Sequence, residues 1–281
     1  MEDIIFKLKF DFEILKNLII EKIPYSSVVL NESKWNKIRE KYSSKVEQVL
    51  VHQQLNSYCI IDFIIGTKHH DYRFAKLCES MIKAINNEIG KSLTFVKSNS
   101  VHKWAIDDII SNMLLSMDID FKSNNSDFKN WVNELFVFNK LTCYTDYTLV
   151  KMEQTLSNNK RVDYVFKNKE TEEELLIDVV TLQNIDPTKH DTADTFNSFI
   201  NQRIQKKYDS KLAESTEVRM FRVLPVIEYQ GGMERFKIEI DTNISLPALT
   251  ISRNEVEGME EIIVLEMNVF LEQISKQNNS R

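Results

Sequence analysis

The sequence predicts an α/β chain of the α+β kind, with a core in the order α-β-β-β-α-β behind a mainly helical N-terminal region. Three observations predict it. Before residue 118, apolar residues recur at three- and four-residue spacing, the period of helices packed on one side. From Thr142 to Thr181 they gather instead into short β-branched and aromatic runs separated by polar turns. Gly (5) and Pro (4) are scarce among 281 residues, which argues against a loop-rich all-β fold and against long flexible linkers.

In order, Phe6–Ile20, Ser33–Leu55 and Arg73–Glu88 carry the helical spacing. Tyr58–Ile65 is more apolar and reads as a buried helix or strand. His102–Met117 reads as a helix whose broad apolar face holds Trp104, Ile106, Ile109, Ile110, Met113 and Leu114. Trp35, Trp104 and Trp131 all fit core faces. The polar stretch Asp118–Asp127 is the best boundary in the chain. It separates a helical region, 1–122, suited to target recognition or partner docking, from an α/β domain, 123–281. Ser126 or Asp127 can cap a helix running to about Leu141. Strands follow at Thr142–Lys151, Arg161–Lys167 and Glu174–Thr181, then a helix at Thr192–Leu212. The strand Val218–Tyr229 contains Pro225, which demotes it toward an edge or a bulge. Phe236–Asp241 and Leu249–Ser252 are weaker strands, and Met259–Lys276 closes as a helix.

Apolar residues at 42% and aromatics at 10% allow a packed core. The net charge of −6 is wrong for a protein that coats nucleic acid without specificity. Contact with a phosphate backbone therefore needs a local basic patch. Lys34, Lys37, Arg39, Lys41 and Lys45 share one helix, and Arg203, Lys206, Lys207 and Lys211 share another. Such runs are often only solvated faces. The odd, widely spaced cysteines Cys59, Cys78 and Cys143 form no CxxC pair and fit a reducing cytoplasm, with Cys143 read as a small hydrophobe. Met1-Glu2-Asp3 lacks the basic start of a secretory signal, and no apolar run reaches the roughly 20 residues that cross a bilayer, so a cytoplasmic protein without a membrane partner is expected. His69 and His70 point about 100° apart on a helix and have no ligand cluster beside them, so they read as a surface or core-edge pair. The phosphate-cradling GxxxxGK[ST] and GxGxxG patterns are absent.

The carboxylates carry the chemistry. Asn168-Lys169-Glu170-Thr171-Glu172-Glu173 is a polar turn between two strand-like runs, hence a hairpin. Folded about its midpoint, it sets Asp163 opposite Asp178. Both acids interrupt apolar runs, so they repel while partly desolvated, and a shared proton or cation relieves that. Mg²⁺ suits such a site, because it takes one or two carboxylates together with waters and phosphate oxygens. Pairing with a neighbouring Lys or Arg is the plain alternative. A third acid, Glu134, lies on the stripe Trp131, Glu134, Phe138, Leu141 of the preceding helix rather than on its wet face.

Glu134 in Trp131-Val132-Asn133-Glu134-Leu135, Asp163 in Arg161-Val162-Asp163-Tyr164-Val165-Phe166, and Asp178 in Leu176-Ile177-Asp178-Val179-Val180-Thr181 resemble the motifs of the PD-(D/E)XK nuclease superfamily. The resemblance covers about residues 126–230 and implies a mixed-sheet, restriction-endonuclease-like core. It also implies a metal-dependent nuclease acting on DNA (RNA remaining an alternative), with Mg²⁺ or Mn²⁺ held by Asp163, Asp178, the Val180 carbonyl and Glu134. The chain departs from the family where the third-strand lysine should stand, since that residue is Val180. Some members supply the lysine from the next helix. Here Phe196, Ile200 and Ile204 mark the apolar stripe that Lys207 and Lys211 extend, so Lys207 becomes the catalytic candidate. Gln183 is a weaker polar option. Lys206 points elsewhere and, with Arg203, Lys211, Lys37 and Lys41, forms the expected nucleic-acid contacts. The expected partners are DNA and a second copy or another protein docked on the N-terminal helices, in antiphage or mobile-element defence. The alternative is a catalytically inactive subunit of the same fold that binds nucleic acid or protein.

Overall fold

The helical spacing of the first part resolves into α1 (Phe12–Lys22), α2 (Ser26–Val29), α3 (Glu32–His52), α4 (Ile60–Gly66), α5 (Tyr72–Ser98) and α6 (Lys103–Leu115). The computed structural model describes residues 11–52, 59–69, 72–98, 102–117, 127–144, 147–182, 185–186, 188–216, 218–227 and 251–252. The expected start of the first helix, the boundary stretch 118–126, Gln183, the strand Phe236–Asp241, the helix Met259–Lys276 and the side chain of Cys143 lie outside them. The ambiguous segment is a helix, α4, with Ile60, Ile61, Phe63, Ile64 and Ile65 all buried. No described helix is long and apolar enough to cross a membrane.

The chain divides into two compact units. The first comprises the described residues of Met1–Ile89 and Asp107–Trp131. Asp11 caps α1 by accepting from the Ile14 N–H, and Leu15, Ile19, Ile38, Ile60, Ile61 and Ile64 are fully buried in its core. The basic run of α3 does not form one face. Lys45 is 4% exposed, and its ammonium pairs with Asp62 and donates to Cys59 Sγ at 3.2 Å. Lys34 donates to Ser111 Oγ at 2.8 Å, and Arg39 stacks over the Phe12 ring. Lys37 stays exposed and Lys41 half-buried. Burial pushes the Cys59 thiol up to about 11 and the Cys78 thiol up to about 12. Neither thiol is therefore a nucleophile at pH 8, because the thiolate is the reactive form. Iodoacetamide at pH 8, followed by peptide mass mapping, is expected to leave Cys59 and Cys78 unmodified in the native protein and to label both in urea. Labelling at equal rates in the two conditions would contradict the packing.

The second unit comprises Gly90–Ile106 and the described residues of Val132–Val256. It contains most of α7 (Asp127–Tyr144), then β1 (Tyr147–Thr155), β2 (Arg161–Asn168), β3 (Glu174–Leu182), α8 (Ala193–Leu212), β4 (Met220–Ile227) and β5 (Ile251–Ser252). The sheet is mixed, in the order β1-β2-β3-β4-β5. The β1–β2 and β2–β3 pairs are antiparallel, while β3–β4 and β4–β5 are parallel. The β2–β3 hairpin forms because the Asn168 side chain accepts from the N–H groups of Glu170 (2.8 Å) and Thr171 (3.0 Å), with Glu172 in the left-handed region at φ 61°. β3 is buried from Leu175 to Val179, as a strand covered on both faces must be. α8 covers one face, its Phe196, Ile200 and Ile204 packing with Val165, Leu176, Phe221 and Val223. Thr192 caps it, accepting from the Thr195 N–H at 3.2 Å.

Phe138 of α7 lies against Tyr164, with ring centroids 6.1 Å apart. Two expectations change. Trp104 is 53% exposed rather than a core residue, because Ala105 and Ile106 supply the buried face of that helix. Pro225 causes no bulge. It keeps unbroken register with β3, opposite Val180, and among the described residues β5 pairs with β4 at Val226 and Ile227.

Candidate active site

The β2–β3 ladder runs from Lys167↔Glu174 to Tyr164↔Ile177 and ends there. Both strands continue past that point on their other sides, β2 paired with β1 to Arg161 and β3 with β4 to Leu182. The sheet therefore forks at the step where this register sets Asp163 opposite Asp178. A fork strands backbone donors that need partners. Asp163 Oδ2 takes one of them, accepting the Val179 N–H at 2.6 Å.

Three elements bring acids to the fork. Asp163 comes from β2. Glu134 comes from α7, which is fixed to both strands: Tyr164 Oη donates to the Glu134 carbonyl at 2.8 Å, and Asn133 Nδ2 donates to Thr181 Oγ1 at 3.1 Å. The third acid, Glu153, comes from β1. A bulge between Leu149 and Lys151 shifts the β1–β2 register by one residue, so that Met152↔Tyr164 and Gln154↔Val162 leave Glu153 across from Asp163. Its backbone is left-handed, at φ 53°. One carboxylate oxygen from each of Glu134, Glu153 and Asp163 lies within 4.8 Å of the other two. Sequence reasoning missed Glu153, since the bulge leaves no mark in Val150-Lys151-Met152-Glu153-Gln154.

Asp178 does not share that cluster. It is fully buried and ion-paired with Lys207 (3.0 Å to Oδ2) and Lys211 (2.8 Å to Oδ1), both from α8. Lys207 thus reaches Asp178, on the side that the helical stripe predicts. Lys211, expected among the nucleic-acid contacts, is drawn inward instead. Arg203 and Lys206 are exposed on α8. Val180 is half-buried against the α8 core.

The electrostatics are strained. Burial first, and then Asp163, Glu153 and Asp178, raise the Glu134 carboxyl well above its ordinary value. Burial, and then Asp178, push Asp163 up to about 8, against the opposing pull of the Val179 N–H, Lys211 and Lys207. Burial alone would lower the Lys207 ammonium, but the adjacent Asp178 outweighs it and holds the ammonium above its usual range. Tightly spaced oxygen donors that resist ionising together are relieved by protons or by a cation, so the three carboxylates could hold a metal ion.

Neither a protein-family model, nor a curated protein, nor a solved structure matches the chain.

Proposed function

We propose that this chain is a metal-dependent nuclease that hydrolyses phosphodiester bonds of DNA. The observation that supports it is the convergence of Glu134, Glu153 and Asp163 from three consecutive elements at a fork in a mixed sheet, with a lysine–aspartate pair beside them. Glu134, Glu153 and Asp163 would hold a divalent cation there. Such a cation supplies a bound water of lowered pKa and neutralises phosphodiester charge. Lys207, kept cationic by Asp178, offers a positive charge to the phosphate oxygens as negative charge builds on them. Arg203 and Lys206, exposed on the same helix, suit contact with the phosphate backbone. A role in antiphage or mobile-element defence goes with this reading only by analogy of fold.

A second reading, an inactive binding subunit, is favoured by Val180 in place of the third-strand lysine. Titrating Mg²⁺ and Mn²⁺ into purified protein with single- and double-stranded DNA and RNA separates the two. The nuclease reading expects cation-dependent cleavage of DNA that EDTA abolishes, and a drop of about 100-fold or more in Lys207→Ala, the scale of losing one transition-state donor. If all four substrates stay intact and Lys207→Ala changes nothing in cells, the enzyme reading falls. Binding without cleavage would then support the inactive subunit.

A further inference from the structure

α8 brings two lysines to one carboxylate. A single ammonium neutralises a buried carboxylate, so Asp178 with Lys207 and Lys211 carries one cation in excess. The two lysines are held differently. Lys211 is 18% exposed and also donates to the Arg161 carbonyl at the start of β2, so it ties the strand that carries Asp163 to the strand that carries Asp178. Its stretch of α8 is itself anchored to the β1–β2 turn: Asn158 Nδ2 donates to the carbonyls of Lys211 (2.8 Å) and Ala213 (2.7 Å). Lys207 is 34% exposed, and among the described residues its ammonium reaches Asp178 alone.

We infer that Lys211 is a positioning residue, the resident counter-ion of Asp178, and that this frees Lys207 to exchange between Asp178 and a phosphodiester oxygen. The inference rests on the nuclease reading above. Were Lys207 the only partner, its departure would leave Asp178 charged, dry and uncompensated, which a protein interior strongly disfavours. With Lys211 in place Asp178 stays neutralised, and Lys207 moves without that penalty.

The test compares wild type, Lys207→Met, Lys211→Met and Lys211→Arg by thermal unfolding and by Mg²⁺-dependent cleavage of a labelled DNA duplex. The expected unfolding midpoint of Lys211→Met falls by about 6 °C or more, against about 2 °C or less for Lys207→Met, on the usual scaling for domains of this size. Cleavage is measured about 15 °C below each variant's own midpoint, where a merely destabilised enzyme stays folded. Both methionine variants are expected to lose about 100-fold in kcat at unchanged KM, because Lys207 becomes pinned when Lys211 is gone. Lys211→Arg, which keeps the charge, is expected to restore kcat to within about threefold of wild type and also serves if Lys211→Met does not fold. Equal midpoint losses for the two lysines, full kcat in folded Lys211→Met, or no cleavage by folded Lys211→Arg would each overturn the assignment. A wild-type protein that leaves all four substrates intact, together with a Lys207→Ala change that is silent in cells, sinks the nuclease reading, and the midpoints alone then decide whether Lys211 is the resident ion.

Discussion

Asp163→Asn is expected to abolish Mg²⁺-dependent cleavage while making the metal-free protein more stable at pH 8. The carboxyl of Asp163 is pushed up to about 8 in the folded state by burial and by Asp178. An unfolded aspartate releases its proton near 4. Between those values the native state binds more protons than the unfolded state, so metal-free stability falls as pH rises through that window. Asparagine stays neutral throughout, and its side-chain oxygen can still accept the Val179 N–H. The substitution therefore removes the slope, giving a small change near pH 4 and a higher unfolding midpoint at pH 8. A divalent cation relieves the same strain in the wild type, so Mg²⁺ is expected to raise the wild-type midpoint at pH 8 and to raise that of the variant much less. Activity runs the other way, with a loss greater than about 100-fold, since even groups that only support metal ligands are worth 10–100-fold. Thermal unfolding from pH 4 to 9 with and without Mg²⁺, alongside cleavage assays, checks both halves. A variant that is less stable than wild type at every pH, or that cleaves at the wild-type rate, would remove Asp163 from the centre.

What could be read from the sequence depended on whether local chemistry or long-range packing decided the outcome. The β2–β3 register was legible because Asn168 builds the turn and strands of period two leave a single register that buries Val165 and Leu176 together. The fork was not legible, because it depends on which neighbour each strand keeps beyond Tyr164↔Ile177. Lys207 was legible from the stripe Phe196, Ile200, Ile204, but the same stripe turns Lys211 onto Asp178 and away from the nucleic-acid contacts expected of it. Glu153 was hidden by a bulge that nothing in β1 announces, and a carboxylate in a half-polar strand looks like any solvated one. The basic run of α3 misled in a similar way. Helical period and charge do not tell whether a lysine meets water or a buried acid from another element, and Lys45 meets Asp62.

That buried pair carries the second large effect. Asp62→Asn keeps an acceptor for the Cys59 N–H, which Asp62 Oδ2 now takes at 2.8 Å, but it leaves the Lys45 ammonium with no counter-charge in a site where it is 4% exposed. Breaking a buried pair by removing one partner destabilises by about 3–5 kcal/mol. In the wild type, burial works against the Lys45 ammonium, and Asp62, followed by Cys59, more than restores it, holding it above the ordinary lysine range. Without Asp62 the burial is opposed only by Cys59, so the folded state gives up more readily the proton that the unfolded chain keeps up to about 10.4. The unfolded state then binds more protons, and the variant's stability rises with pH over a range where the wild-type pair has no such dependence. The deficit should therefore be largest at neutral pH and shrink toward pH 10. Lys45→Met/Asp62→Asn, which removes the stranded charge but keeps the cap on α4, should recover most of it. Hydrogen exchange followed by mass spectrometry on peptides from α3 and α4 reads the loss where it arises, without assuming that a two-unit chain unfolds in one step. If the single variant exchanges like wild type, Lys45 has another anion or reaches water, and the first unit is held together by its apolar core alone.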